Sequence, residues 1–195
     1  MANAFTVLWT NDHCQWLKRC GDEGKNLTVM FGGVHQSVPS LKRAGIVDGD
    51  QVFPVRVLKG QLYIIARLMA GEFISLEEYA VEHLNLPAKD VVGLHEFQIM
   101  QLIQERWPDL GYRMPKGCGI EVLLGSSGSA IRFDLTVPPL VLEALTFCSR
   151  AGRMKLKHVE NGILKKSISL QGNVRRLCPE SASDLNQIVD EVNAP

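Results

Sequence analysis

No two of the five cysteines, at 14, 20, 118, 148 and 178, form a C-x-x-C pair, and their number is odd. The spacing excludes a zinc ribbon. It also argues against a disulfide framework, so reduced thiols and a cytoplasmic setting are expected. Long apolar runs are missing too, none approaching the roughly 18–20 residues that span a bilayer. The start, Met-Ala-Asn-Ala-Phe-Thr-Val-Leu-Trp, has no basic segment ahead of an apolar one, so no secretory signal is expected. There is no internal repeat, low-complexity tract or clear linker. Net charge is nil, with 21 basic and 21 acidic side chains.

What is present suits a folded chain. Apolar residues make up 46% and charged residues 22%, which excludes wholesale disorder. A chain of 195 residues fits one domain, with a possible subdivision at 115/116. The neutral total hides an asymmetry. Arg150 to Arg176 holds eight basic residues and one acid, Glu160, so this segment is +7 and the remainder −7. A local basic surface of this kind fits a limited anionic contact, unless it faces acidic helices of the same chain.

Along the chain, Ala4–Thr10 reads as a strand. A helix follows from Asp12 to about Cys20, capped at Thr10-Asn11-Asp12 and ended by Gly21. Leu27–Phe31 is a second strand, and Val34–Ile46 a loop with a helical turn near Ser40–Ala44. Asp48-Gly49-Asp50 is a turn. Gln51–Val57 and Leu62–Met69 follow as strands around Lys59-Gly60, with Pro54 expected at an edge or on a bulge. Arg56 and Arg67 are expected on one outer face. Ser75 and Glu78 make a capping box for a helix to about Leu84. Leu94–Trp107 places Leu94, Phe97, Met100, Ile103 and Trp107 on one helix face. Ile120–Leu124 and Ala130–Asp134 read as a hairpin around the loop 125–129. Pro138-Pro139 opens a helix through Arg150. Met154–Val159 and Ile163–Leu170 form a hairpin around Glu160-Asn161-Gly162. Val174–Leu177 is a last strand, and Ser181–Val192 a last helix. Runs of strands and helices joined by hairpins predict an α+β protein, its sheet mainly antiparallel and barrel-like with helices packed around it.

Chemistry is harder to find. Asp12-His13-Cys14 offers an acid, a base and a thiol, but neighbours on a helix point about 100° apart and cannot act on each other. Cys14, Cys20, His13 and His35 lack the spacing of a tetrahedral metal site. Asp48 and Asp50 suit a turn better than a cation. Gly125-Ser126-Ser127-Gly128-Ser129 lacks the lysine and following helix of a phosphate loop. No cofactor or metal is predicted. The basic segment remains: Lys155, Lys157, Lys165 and Lys166 on two arms of one hairpin, with Arg175 and Arg176 a strand later. Such a patch would neutralise phosphates. It contains no aromatic residue for stacking; the candidates, Trp9, Trp16, Phe31, Phe53 and Tyr63, lie earlier.

Gly49-Asp50-Gln51-Val52-Phe53-Pro54-Val55, followed by Leu62-Tyr63-Ile64-Ile65-Ala66-Arg67, resembles the PUA-like superfamily, with its ASCH and EVE domains, over roughly the first 70 residues. There a Gly-Asp turn starts a barrel strand and an aliphatic strand follows. The Gly-x-Lys-x-x-Glu-x-Arg pattern of ASCH domains is missing; Gly33-Val34-His35-Gln36 stands in its place. The resemblance implies a pseudo-barrel whose cleft receives RNA or a modified base, with Trp9, His35, Tyr63 and Arg67 as cleft candidates.

The expectation is thus a non-enzymatic protein binding RNA or DNA through a cleft and the basic C-terminal hairpin. One alternative is a protein–protein module, an immunity- or antitoxin-type partner or a homodimer, docking through the helices at 75–84 and 94–107. The other is a small hydrolase or transferase using His35 or His158.

Overall fold

Strand-forming residues dominate the first third of the chain, and in the computed structural model they build one curled sheet. The structure describes residues 2–33, 39–108, 120–149, 151–167, 170 and 174–193. The strands are β1 (Ala4–Leu8), β2 (Val29–Gly32), β3 (Gln51–Leu58), β4 (Gln61–Ile64), β5 (Leu68–Ser75), β6 (Glu121–Gly128) and, near the C-terminus, β11 (Val174–Arg176). Their order is β11-β1-β3-β5-β6-β2, with β4 also on β3. All pairs are antiparallel except β1 with β3. The α+β expectation holds, but the sheet is not closed into a barrel. Met30 of β2 and Val174 of β11 pack on one inner cluster, so the sheet curls around it; no ladder joins its two end strands.

The hairpin around Lys59-Gly60 is the spine of this sheet. Val55 pairs with Ile64 and Val52 with Leu68. Two residues of β3, Phe53 and Pro54, therefore oppose three, Ile65, Ala66 and Arg67. That extra residue is a bulge. Pro54 accepts from Ile65 N at 2.8 Å and sits opposite the bulge, inside the sheet, where no regular ladder bond is demanded of its missing N–H. Asp50, 2% exposed, holds the turn before β3 by accepting from Asn3 N at 2.7 Å and Val47 N at 3.0 Å.

Helices cover the outside. Helix α1 (Asn11–Arg19), capped by Thr10, buries Cys14 and Leu17 against the inner cluster. The Ser75–Glu78 capping box opens α2 (Leu76–Glu78), which continues as a π-helical turn, Tyr79–His83. With α3 (Ala88–Val91) and α4 (Glu96–Arg106), these cover the outer face of β5 and β6. Phe97, expected inward, is 58% exposed, while Ile99, Met100 and Ile103 are buried. A second outer cluster joins β3 and β4 to α5 (Pro139–Ala144) and α6 (Pro179–Asn193).

Four further expectations are corrected. The Gly125–Ser129 loop is largely strand: β6 runs through Gly128. A Cβ on Gly128 would overlap the Leu27 carbonyl, and one on Gly125 the Leu68 side chain, so these glycines allow close backbone approach. The helix from Pro139 stops at Ala144, where Thr146–Ser149 becomes β7 and pairs with β8 (Gly152–Lys155). The long basic hairpin shrinks to β9 (Val159–Glu160) and β10 (Ile163–Leu164), around Asn161 and Gly162 at φ +51° and +70°. Finally, Cys148 and Cys178 form a disulfide, with Cα atoms 5.1 Å apart. The expectation of wholly reduced thiols fails with it, as does the cysteine argument for a reducing compartment. Among the described residues, no helix is long and apolar enough to cross a membrane.

Candidate functional site

Where the curled sheet stays open, α1 bridges towards β2 and leaves a cleft of about 230 Å³. One wall is Trp9, His13 and Leu17; the other is the chain from Lys25 to Phe31, with Asp22 and Ile131 completing it. Local sequence positions each side chain. Trp9 follows β1 and holds its register, donating its backbone N–H to Val55 O at 2.8 Å. His13 lies in the first turn of α1, and its ring meets Trp9 edge to face, with centroids 4.8 Å apart. Asp22, 1% exposed, accepts from Lys25 Nζ at 3.1 Å.

The backbone of β2 adds polar edges. Gly125 N donates to Thr28 O, and the register then pairs Val29 with Leu124, Met30 with Leu123 and Phe31 with Val122. Antiparallel hydrogen bonding alternates, so Val29 and Phe31 turn their N–H and C=O groups away from β6. Both residues line the cleft. Burial around His13 lowers its pKa to about 4. Its ring is therefore neutral at physiological pH and offers one donor and one acceptor.

Of the predicted cleft residues that are described, only Trp9 lines this cavity. Tyr63 lies under the Arg56 guanidinium, 4.8 Å from its ring centre. Arg56 also reaches the Phe133 carbonyl. Arg67 is held by α6, at 2.8 Å from Asp190 and 2.7 Å from Asn186 Oδ1, so it braces the fold. Arg56 and Arg67 thus do not share an outer face. His35 lies outside the described residues. Among the other aromatic candidates, Phe53 is wholly buried, and Phe31 borders the cleft while its ring packs in the outer helical cluster, edge to face with Tyr79 at 5.5 Å between centroids.

The six basic residues are spread over two strands and two connecting segments. Lys155 ends β8 opposite Thr146, and Lys157 lies in the next turn. Lys165 and Lys166 follow β10, and Arg175 and Arg176 stand on β11, opposite Thr6 and Phe5. The four lysines and Arg176 are exposed; none of the six lines the cleft. The sequence offered His13 only as a would-be catalyst or metal ligand, and Asp22 and Lys25 only as loop residues. Their polar surroundings carried no signal that α1 would face β2.

Reactive chemistry is not favoured where the sequence hinted at it. Cys14 is fully buried, and burial pushes its thiol up to about 12 despite the nearby Arg56 charge. His158 is exposed in a turn at φ +62°. Among the described residues, no group of three or more His, Cys, Asp or Glu side chains is placed to hold a metal. Comparison with protein-family models, curated proteins and solved structures finds no match.

Proposed function

We propose that the protein binds single-stranded nucleic acid, seating one unstacked base in the cleft between α1 and β2. The observation that carries this reading is the make-up of that cleft. Trp9 and His13 offer ring faces and edges, while the neutral His13 imidazole and the peptide groups of Val29 and Phe31 offer paired donors and acceptors. A planar heterocycle with a hydrogen-bonding rim complements both. The volume falls just below the roughly 300–1,000 Å³ of pockets for drug-sized ligands, which suits one ring system. Exposed Lys155, Lys157, Lys165, Lys166 and Arg176 would neutralise phosphates of the same strand. The likeness of Gly49–Arg67 to PUA-like domains supports the same ligand class.

The test is fluorescence anisotropy with labelled single-stranded RNA and DNA at about 50 and about 200 mM salt. Binding should weaken with salt, and Trp9→Ala should cost on the order of tenfold, since a stacked base contributes roughly 1–3 kcal/mol. Glutamates at Lys155, Lys157, Lys165 and Lys166 should remove most of the affinity. No salt-dependent binding to either polymer would sink the proposal.

A second reading, a protein-binding face, is favoured by Val92 and Phe97, 65% and 58% exposed near the start of α4. Sedimentation of wild type against Phe97→Ser distinguishes it. A monomer in both cases removes the homodimer.

A further inference from the structure

The disulfide and the basic bias of the chain fall in the same place. Cys148 and Cys178, 30 residues apart, bracket residues 150–176, so all eight basic residues of that segment lie within the loop that the bridge closes. From 151 to 167 this loop has little holding it. Strand β8 is exposed along its length, and β9 and β10 have two residues each. Leu156 and Leu164 are the buried side chains of the stretch; their N–H groups donate to Leu145 O at 3.0 Å and Gly60 O at 2.8 Å. Short ladders and few buried apolar contacts mark a segment of low local stability. At its base, Cys178 N donates to Thr146 O at 3.0 Å and Thr146 N to Ser181 Oγ at 2.9 Å, and Phe147 forms a bridge with Leu177. The covalent bond reinforces this narrow base, and such a cross-link removes conformational freedom that the open chain would recover.

The cleft lies outside this loop, since none of the residues lining it falls between Cys148 and Cys178. The lysines and the cleft therefore respond separately. Of the two bridged cysteines, Cys178 is wholly buried and Cys148 partly exposed, which directs attack to the Cys148 sulfur. We propose that the Cys148–Cys178 disulfide is a redox switch on the phosphate-binding surface. Oxidised, it holds Lys155, Lys157, Lys165 and Lys166 in one ordered array. Reduced, it lets β7 through β10 detach, and the array must then be ordered on binding, which lowers affinity. In the reductive step a thiolate of a dithiol attacks Cys148 Sγ, the S–S bond breaks, and its electron pair leaves on Cys178 Sγ, which takes up a proton. The second thiol of the reductant, once deprotonated, displaces Cys148 as a thiolate that is protonated in turn. The dithiol has supplied both electrons and ends as a disulfide. The switch presupposes the nucleic-acid reading of these lysines and adds a regulation to it.

The experiment compares the full chain, oxidised and after dithiothreitol, by two readouts: hydrogen exchange followed by mass spectrometry, and fluorescence anisotropy with labelled single-stranded RNA and DNA. On reduction the amides of Leu156, Leu164 and the β7–β8 ladder should approach the unprotected exchange rate, while those of β3, β5 and β6 stay protected. Affinity should fall several-fold with a shallower salt slope, and reoxidation should restore both. The double variant Cys148→Ser, Cys178→Ser should match the reduced form and ignore dithiothreitol, which assigns the effect to this bridge. Should that variant fail to fold, the reversible comparison on wild type decides alone. Loop amides that keep their protection after reduction overturn the switch. So does loss of protection throughout β3, β5 and β6, which would make the bridge a brace for the whole fold. Binding that reduction leaves unchanged overturns the switch and leaves the nucleic-acid reading in place. Absence of binding in both states removes that reading, and the switch with it.

Discussion

His13 gives the molecule a defined acid response. Its folded pKa of about 4 lies below the ordinary 6.5, so between those values the unfolded chain binds a proton that the folded chain does not. Stability therefore falls as pH drops through 6.5 towards 4. At roughly 1.36 kcal/mol per unit, wild type should lose on the order of 1 kcal/mol between pH 6.5 and 5.5, somewhat less because the ring is partly solvated. Urea unfolding at the two pH values should show that loss, and His13→Gln should abolish it. An unchanged pH dependence in His13→Gln would mean that the ring is not desolvated. Cys14, its neighbour, should resist iodoacetamide in the native protein at pH 8 and react once unfolded, since only the thiolate is nucleophilic. The thiol and imidazole point apart on α1, as their adjacency dictates.

Strand β6 shows how composition and structure part company. Gly-Ser-Ser-Gly reads as a loop because these residues favour turns. Here the same glycines serve a strand squeezed between β2 and β5, with register shifts against β5. Gly128→Ala should destabilise the fold by about 1–3 kcal/mol, the usual cost of forcing extra volume into a packed site, because the obstacle is the Leu27 backbone. The denaturation midpoint measures it; a neutral result would show that β6 yields at this point. By contrast, the caps at Thr10 and Ser75 and the Asn161-Gly162 turn were all legible. Each depends on bonds or angles among residues a few positions apart. The early end of α5 was missed because the apolar run after Pro139 suits helix and strand alike, and contact with β8 and Leu177 settles it as β7.

The whole fold is tied together late in the chain. Arg67 at the bulge grips α6 through Asp190 and Asn186, and Asn186 Nδ2 donates to Gln51 Oε1 at 2.7 Å. The disulfide closes a span of 30 residues, for which chain entropy predicts a stabilisation of about 3–4 kcal/mol. Reduction, or paired serines at Cys148 and Cys178, should lower the unfolding midpoint accordingly while Cys14→Ser leaves the bridge intact. A midpoint indifferent to reductant would count against the bridge.

Read alone, the chain specifies its N-terminal strands, its caps and turns, its α+β class and the basic bias of residues 150–176. These follow from backbone geometry and from side-chain periodicity along single elements. The pairing of Cys148 with Cys178 and the meeting of Trp9 and His13 with the edge of β2 could not be read that way. Each depends on which surfaces meet across separations of about 20 to 30 residues, and loop entropy distinguishes poorly among such closures. Only the packing of the curled sheet selects among them, and that packing placed the aromatic cleft and the exposed lysines on different elements.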